Sequence, residues 1–270
     1  MNDIPIPKLL ATARRVVKLA AASLKKDYQR VHIDGQHLDV RTKESATDLV
    51  TDVDGRTQEL LIREIQKEFP DHRFLCEEQG AENLGDATCP YEWVIDPLDG
   101  TVNFVHGRNS FGTIVAVRKG DEILAGAMEL PLLELQFWGS RGGGAFQNGK
   151  PVKLRATASM NDAVFACNMM RRAKEVAGTL RVSVPACASV ENYGCAAEEL
   201  GQVLLGCNDG VFYDGIRLWD IAVGFLLIEE AGGRTRMDAQ EPENPRGGYR
   251  AAAATAPVFE ELWEFVEKKM

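Results

Sequence analysis

Between residues 112 and 138 the chain holds three β-type runs with almost nothing between them. GTIVAVR (112–118), ILAGAMEL (123–130) and LELQFW (133–138) are separated by four and two residues, with the turn signals Lys119-Gly120-Asp121 and Leu130-Pro131 at the joins. Turns that short join antiparallel neighbours, so the middle of the chain must form a largely antiparallel, multi-stranded sheet. Gly142-Gly143-Gly144 and Asn148-Gly149 fit further hairpin turns. Shorter β-type runs at 73–76 and 92–95 lie next to acids.

Helical spacing flanks this sheet. Over residues 8–29, Leu9, Leu10, Ala13, Val16, Val17 and Ala20 share one face, against Arg14, Arg15 and Lys18. From 53 to 69, Leu60, Leu61 and Ile65 recur likewise, and Pro70 ends the helix. Residues 31–43 are mixed and polar, fitting an irregular strand or loop. The last third alternates: 163–167, 210–213 and 250–255 read as strands, whereas 195–205, 218–231 and 258–268 read as helices. Gly232-Gly233 closes the second of these helices. Such alternation implies helices packed on a second, mixed sheet. A division near residue 150 gives an N-terminal α+β part (1–150) and a C-terminal α/β part (151–270).

Charge narrows the function. Acidic residues number 40 and basic ones 31 in 270, a net charge of −9. That sign argues against direct binding of nucleic acid, whose phosphates recruit Lys and Arg. Clustered acids suit divalent cations, which can bridge to an anionic substrate. The longest apolar run, 221–228, is far short of the ~20 residues of a membrane helix. The N-terminus lacks the basic patch and apolar run of a signal peptide. The six cysteines include no Cys-x-x-Cys pair, so reduced thiols in a cytoplasmic protein are expected.

The segment most charged with chemistry is Trp93-Val94-Ile95-Asp96-Pro97-Leu98-Asp99-Gly100-Thr101. A buried-type strand runs into two carboxylates. Pro97 holds Asp96 extended, Gly100 permits close approach of a ligand to the backbone, and Thr101 can open a helix whose N–H groups bind an anion. As a structural feature alone this is a strand-to-turn connection with Asp as a cap. Further acids stand in Asp48-Leu49-Val50-Thr51-Asp52-Val53-Asp54, in Glu77-Glu78 and in Trp219-Asp220. Each alone reads as a cap or a solvated charge; the set argues for chemistry.

These motifs, with Asn103-Phe104 and Glu230-Ala231-Gly232-Gly233, resemble in order and separation the inositol monophosphatase family of metal-dependent phosphatases. The resemblance covers nearly the whole chain. It implies an α/β (α+β) fold, a layered α-β-α-β-α sandwich, in a homodimer. It also implies hydrolysis of a small phosphorylated metabolite with Mg2+, two or three ions per active site, and sensitivity to Li+. Carried over, Glu77, Asp96 and the Leu98 carbonyl hold one ion, and Asp96, Asp99 and Asp220 a second. Glu77 touches a weaker third through water. Asp54 and Thr101 orient the attacking water, and the N–H groups of Gly100 and Thr101 cradle the phosphate. Gly194, Cys195, Ala196 and Asp214 complete the substrate side, with Asp99 and Asp220.

The chemistry agrees. A metal pair about 3.5–4 Å apart binds both the attacking and the leaving oxygen of a phosphoryl transfer, and Mg2+ takes oxygen ligands. Zinc would use His and Cys, but His32, His37, His72 and His106 are scattered. No Ser or Cys nucleophile sits in a phosphate-loop context, so direct attack by metal-activated water, without a phospho-enzyme, is expected. Haloacid dehalogenase-type phosphatases place their two aspartates one residue apart near the chain start, unlike Asp96 and Asp99.

The substrate side departs from the family. Cys76 stands where Gly usually precedes the Glu pair, Glu191 where many members carry Arg, and Cys195 where a small hydroxyl residue is common. No glutamate aligns clearly before Trp219, with Asp214 as an offset substitute. An acid at 191 facing the pocket would favour a cationic alcohol such as histidinol. Arg171, Arg172 and Arg217 are available to a second phosphate. Four readings stay open beside an inositol monophosphate-like substrate: histidinol phosphate, a sugar bisphosphate, a nucleotide 3'-phosphate, or a mainly regulatory, transcription-associated binding protein.

Overall fold

A computed structural model describes residues 3–42, 49–167, 174–176, 179–181 and 185–269. In chain order the helices are α1 (Ile6–Tyr28), α2 (Asp52–Gln66), α3 (Thr101–Val105), α4 (Ala196–Leu204), α5 (Leu218–Glu230) and α6 (Ala256–Lys269). The strands are β1 (Val40–Thr42), β2 (Leu49–Thr51), β3 (Arg73–Cys76), β4 (Tyr91–Asp99), β5 (Gly112–Lys119), β6 (Glu122–Leu130), β7 (Leu135–Ser140) and β8 (Gly144–Gln147). They continue as β9 (Lys150–Pro151), β10 (Val164–Cys167), β11 (Lys174–Val176), β12 (Thr179–Arg181), β13 (Ser189–Glu191), β14 (Gly210–Ile216), β15 (Arg234–Ala239) and β16 (Tyr249–Ala254).

Strands β3 to β9 form a seven-stranded sheet in sequence order. Only β3 and β4 pair in parallel; the other neighbours are antiparallel, as the short turns require. Strand β4 and most of β5 and β6 are buried at successive residues, the mark of a sheet covered on both faces. One cover is α1 and α2, whose Leu9, Ala13, Val16, Val17, Leu61 and Ile65 meet Trp93, Ile95, Val115 and Val117. The other is α4 and α5, whose Leu200, Val223 and Leu227 pack with Val94, Ile114, Ala116 and Met128.

The far sides of α4 and α5 lie on a five-stranded mixed sheet ordered β13-β10-β14-β16-β15. Helix α6 covers its outer face through Val258, Phe259, Leu262, Trp263 and Val266. The layers therefore run α-β-α-β-α. Helix α5 is apolar almost all round because it is wedged between two sheets.

Several boundaries differ from the sequence pattern. Residues 31–43 contain the end of a π-helical turn, Gln29–Ile33, continuing α1, and the short strand β1. Strand β15 gave no periodic signal, because it is a polar edge strand with most residues exposed. Among the described residues no helix is long and apolar enough to cross a membrane.

His72 locks the start of the first sheet. It stacks on Phe69 (4.6 Å) and Tyr91 (5.1 Å), and its Nδ1 accepts from Trp93 Nε1 (3.0 Å). That bond needs a neutral ring, and burial pushes the pKa down from 6.5 to about 4. The unfolded chain therefore binds this proton at higher pH than the folded one. The contribution is complete above pH 6.5 and is lost as pH falls to about 4. It amounts to roughly 2–3 kcal/mol. Urea titrations from pH 7 to pH 4 should show His72→Phe losing less stability than the wild type by that amount; identical pH slopes would contradict it.

Candidate active site

Local sequence aims each acid. Thr51 caps α2: its hydroxyl accepts from Val53 N (3.1 Å), and Asp54 Oδ2 accepts from Thr51 N (2.8 Å). This capping box turns Asp54 inward, where Oδ1 accepts from Thr101 Oγ1 (3.0 Å). Asp54 is fully buried. Burial pushes its pKa up to about 7; the Thr51 bonds oppose this, and Glu77 and Glu78 add to it.

Asp96 and Asp99 close strand β4. In a regular strand, residues three apart point to opposite faces. Here the β4–β5 register slips between them, and both carboxyls are buried within electrostatic reach of each other. Asp96 Oδ1 accepts from Leu98 N (3.0 Å). Its pKa is pushed far up, first by burial, then by Glu77, Asp99 and Asp220, and by a hydrogen bond with Glu77. Two carboxyls that hydrogen-bond share a proton.

Asp99 is held by the start of α4. Its oxygens accept from Ala196 N (3.1 Å), Ala197 N (2.6 Å) and Cys195 Sγ (3.0 Å). This occupies N–H groups that a helix start leaves without partners. Burial still raises its pKa to about 6, against these bonds. Asp220 lies in the first turn of α5, where Oδ2 accepts from Arg217 N (3.0 Å). The Leu98 carbonyl and Asp54 are both within reach of the Thr101 hydroxyl, each at 3.0 Å.

Gly100 has φ +83°, and a Cβ there would stand 2.9 Å from the Ser110 carbonyl, so the turn into α3 needs glycine. Helix α3 is only five residues long, and supplies just part of the dipole expected for an anion site. Asn103 ties the two sides of the site: its Nδ2 lies 2.8 Å from both the Ser110 and Tyr193 carbonyls and 3.2 Å from that of Gly194.

A cavity of about 120 Å3 opens between Asp99 and Asp220, walled by Gly194, Cys195, Ala196 and Glu199. Glu199 is buried, accepts from Tyr193 N (3.3 Å), and has its pKa raised to about 8 by burial. Asp214 does not line this cavity: Gln240 Nε2 donates to it (2.5 Å). Glu191 does not either, and accepts from Ser189 Oγ (2.6 Å). Asp48, Arg171 and Arg172 lie outside the described residues.

Glu77, Asp96, Asp99 and Asp220 thus fall in one neighbourhood. Among the described residues, however, no three His, Cys, Asp or Glu side chains are arranged as an ion-holding group. Asp96 Oδ1, both oxygens of Asp99 and Asp220 Oδ2 accept from backbone and thiol donors instead. The donors are nevertheless all oxygen, and the principal groups acting on Asp96 are other acids, with no base among them. That fits a hard divalent cation.

Glu199 and Arg246 escaped the sequence reading. Adjacent acids in an otherwise apolar helix, Glu198-Glu199 in α4, were a usable signal. Arg246 sits in a polar loop that offered none.

The inositol monophosphatase family profile matches residues 7–267. An inositol-1-monophosphatase of Mesorhizobium japonicum is 34% identical over 218 residues, 79% of each chain. A Nus factor SuhB of Pasteurella multocida is 33% identical over 229 residues, 83% of each. The crystal structure of extragenic suppressor protein suhB from Bartonella henselae superposes with a TM-score of 0.80 at 27% identity, covering 97% of this chain and all of that one. The chain belongs to the inositol monophosphatase family.

Proposed function

We propose that the chain hydrolyses small phosphate monoesters, inositol monophosphate-like in size, using Mg2+ and water. The observation that carries this reading is Asp96: a fully buried carboxyl facing three other acids beside a cavity walled by two of them. Buried like charges are costly unless a cation joins them. Glu77, Asp96 and the Leu98 carbonyl would hold one ion, and Asp96, Asp99 and Asp220 another. Bound there, Mg2+ supplies charge for the phosphoryl oxygens and acidifies water.

The chain's own groups do the orienting. The Thr101 hydroxyl, donating to Asp54, keeps its lone pairs for a water proton and so aims the water. Gly100 and Thr101 present backbone N–H groups to the phosphate. The Gly194–Ala196 turn faces the leaving alcohol. A homodimer, cytoplasmic location and inhibition by Li+ belong to the same reading. Since Glu191 lies outside the cavity wall, it gives no ground for preferring a cationic alcohol.

Relatives named Nus factor SuhB support a second reading, a role as a binding partner of the transcription machinery. A net charge of −9 favours contact through protein rather than RNA. Phosphate release from a panel of sugar, inositol, histidinol and nucleotide phosphates separates the two. Release abolished by EDTA and restored by Mg2+ is expected; no release across the panel with Mg2+ present would leave only the binding role.

A further inference from the structure

Arg246 joins the two acidic walls of the site. Its Nη1 donates to the Cys76 carbonyl (2.5 Å), and its Nη2 donates to that of Glu77. The guanidinium carbon lies 4.9 Å from the centre of the Trp219 ring, beside Asp220. One side chain therefore grips the backbone that carries Glu77 and rests on the residue preceding Asp220. Its own backbone is pinned as well. The Arg246 carbonyl accepts from Arg217 Nη1 (2.7 Å), and Arg246 N donates to Asn244 Oδ1 (3.0 Å). Arg217 in turn gives its backbone N–H to Asp220 (3.0 Å). Glu77, Arg246, Arg217 and Asp220 form a continuous chain of contacts between segments almost 170 residues apart.

Two effects of Arg246 on a bound cation oppose each other. Its positive charge repels the ion. Its fork holds fixed the backbone from which the Glu77 side chain springs. A guanidinium that donates to two carbonyls while stacked on a ring has little freedom, and carbonyl acceptors leave its charge in place. Groups that orient metal ligands commonly matter by 10–100-fold in metal affinity. Arg246 is only half-buried, so solvent softens its repulsion in part.

We propose that Arg246 is a positioning residue that sets the separation of Glu77 and Asp220, and with it the affinity for divalent cations. This rests on the hydrolase reading of the site. Positioning outweighs repulsion, so both loss of the side chain and loss of the fork weaken the ion.

Equilibrium binding of Mn2+ to the full-length chain, followed by the electron paramagnetic resonance of the free ion, tests this without turnover. Arg246→Met and Arg246→Lys should each weaken Mn2+ about tenfold. The Mg2+ needed for half-maximal phosphate release should rise by the same factor, and added Mg2+ should recover turnover. Lys keeps the charge and stem, and decides the point if the Met variant fails to give a cooperative melt in EDTA. Tighter Mn2+ binding by the Met variant with an unchanged Lys variant would show that charge governs, and would overturn the proposal. Wild-type affinity in both variants would overturn it too. A wild-type chain that binds no Mn2+ would overturn the hydrolase reading itself, and this inference with it.

Discussion

Asp96→Asn is expected to cut phosphate release by about a thousandfold, roughly 4 kcal/mol of barrier, while making the metal-free protein harder to melt. The two effects share one cause. Asp96 is 1% exposed, and Glu77, Asp99 and Asp220 all raise its pKa. An acid whose pKa is raised by folding destabilises the fold at any pH above its unfolded value. Asn keeps the shape and the acceptor for Leu98 N, and its amide can donate to Glu77 where a shared proton does so now. Relief of that penalty should raise the melting temperature of the metal-free variant in EDTA. Mg2+ should raise the wild-type melting temperature, because it binds only the folded chain, and should scarcely move the variant. Scanning calorimetry with and without Mg2+ reads both. A variant less stable than wild type in EDTA would mean that Asp96 is held by attraction, not strained by repulsion.

Gly224→Val is expected to cost about 3 kcal/mol and to loosen the site from a distance. Gly224 lies where α5 meets α4, and a Cβ there would stand 2.5 Å from Leu200 Cδ1 and 2.8 Å from its Cβ and Cγ. These helices lie between two sheets and have little room to part. Helix α4 presents Ala196 N and Ala197 N to Asp99, and α5 carries Asp220. Any separation moves two candidate ion-holding groups at once. Chemical denaturation should show the stability loss, with Gly224→Ala losing less, and half-maximal activity should need more Mg2+. Undiminished stability in the Val variant would show that the layers yield more easily than their packing implies.

What could be read in the sequence was local. The β5–β7 meander follows from turns a few residues long, and α1 from its apolar face. The acids of β4 were recognisable because Pro97 and Gly100 flank them in the chain. The first turn of α5 was legible for a related reason: Asp220 is a lone acid among apolar residues. Contacts between distant segments were not legible. Asn103 meets carbonyls 90 residues away, and Arg246 meets Cys76 across 170; no spacing announces such a partner. Asp214 shows the converse. Near the right place in sequence, it sits on β14 beside a register slip and turns to Gln240 instead of the cavity. Strand alternation decides facing residue by residue, and an irregularity of one position reverses it.

Strand β4 has neighbours on both sides, whereas β13, which leads into the Gly194 turn, lies at a sheet margin. Asp96 and Asp99 are thus rooted in a strand buried along its whole length, and the wall that faces them hangs from a border. Substitutions along that border can reshape the Gly194–Ala196 wall of the cavity while leaving Asp96 and Asp99 in place.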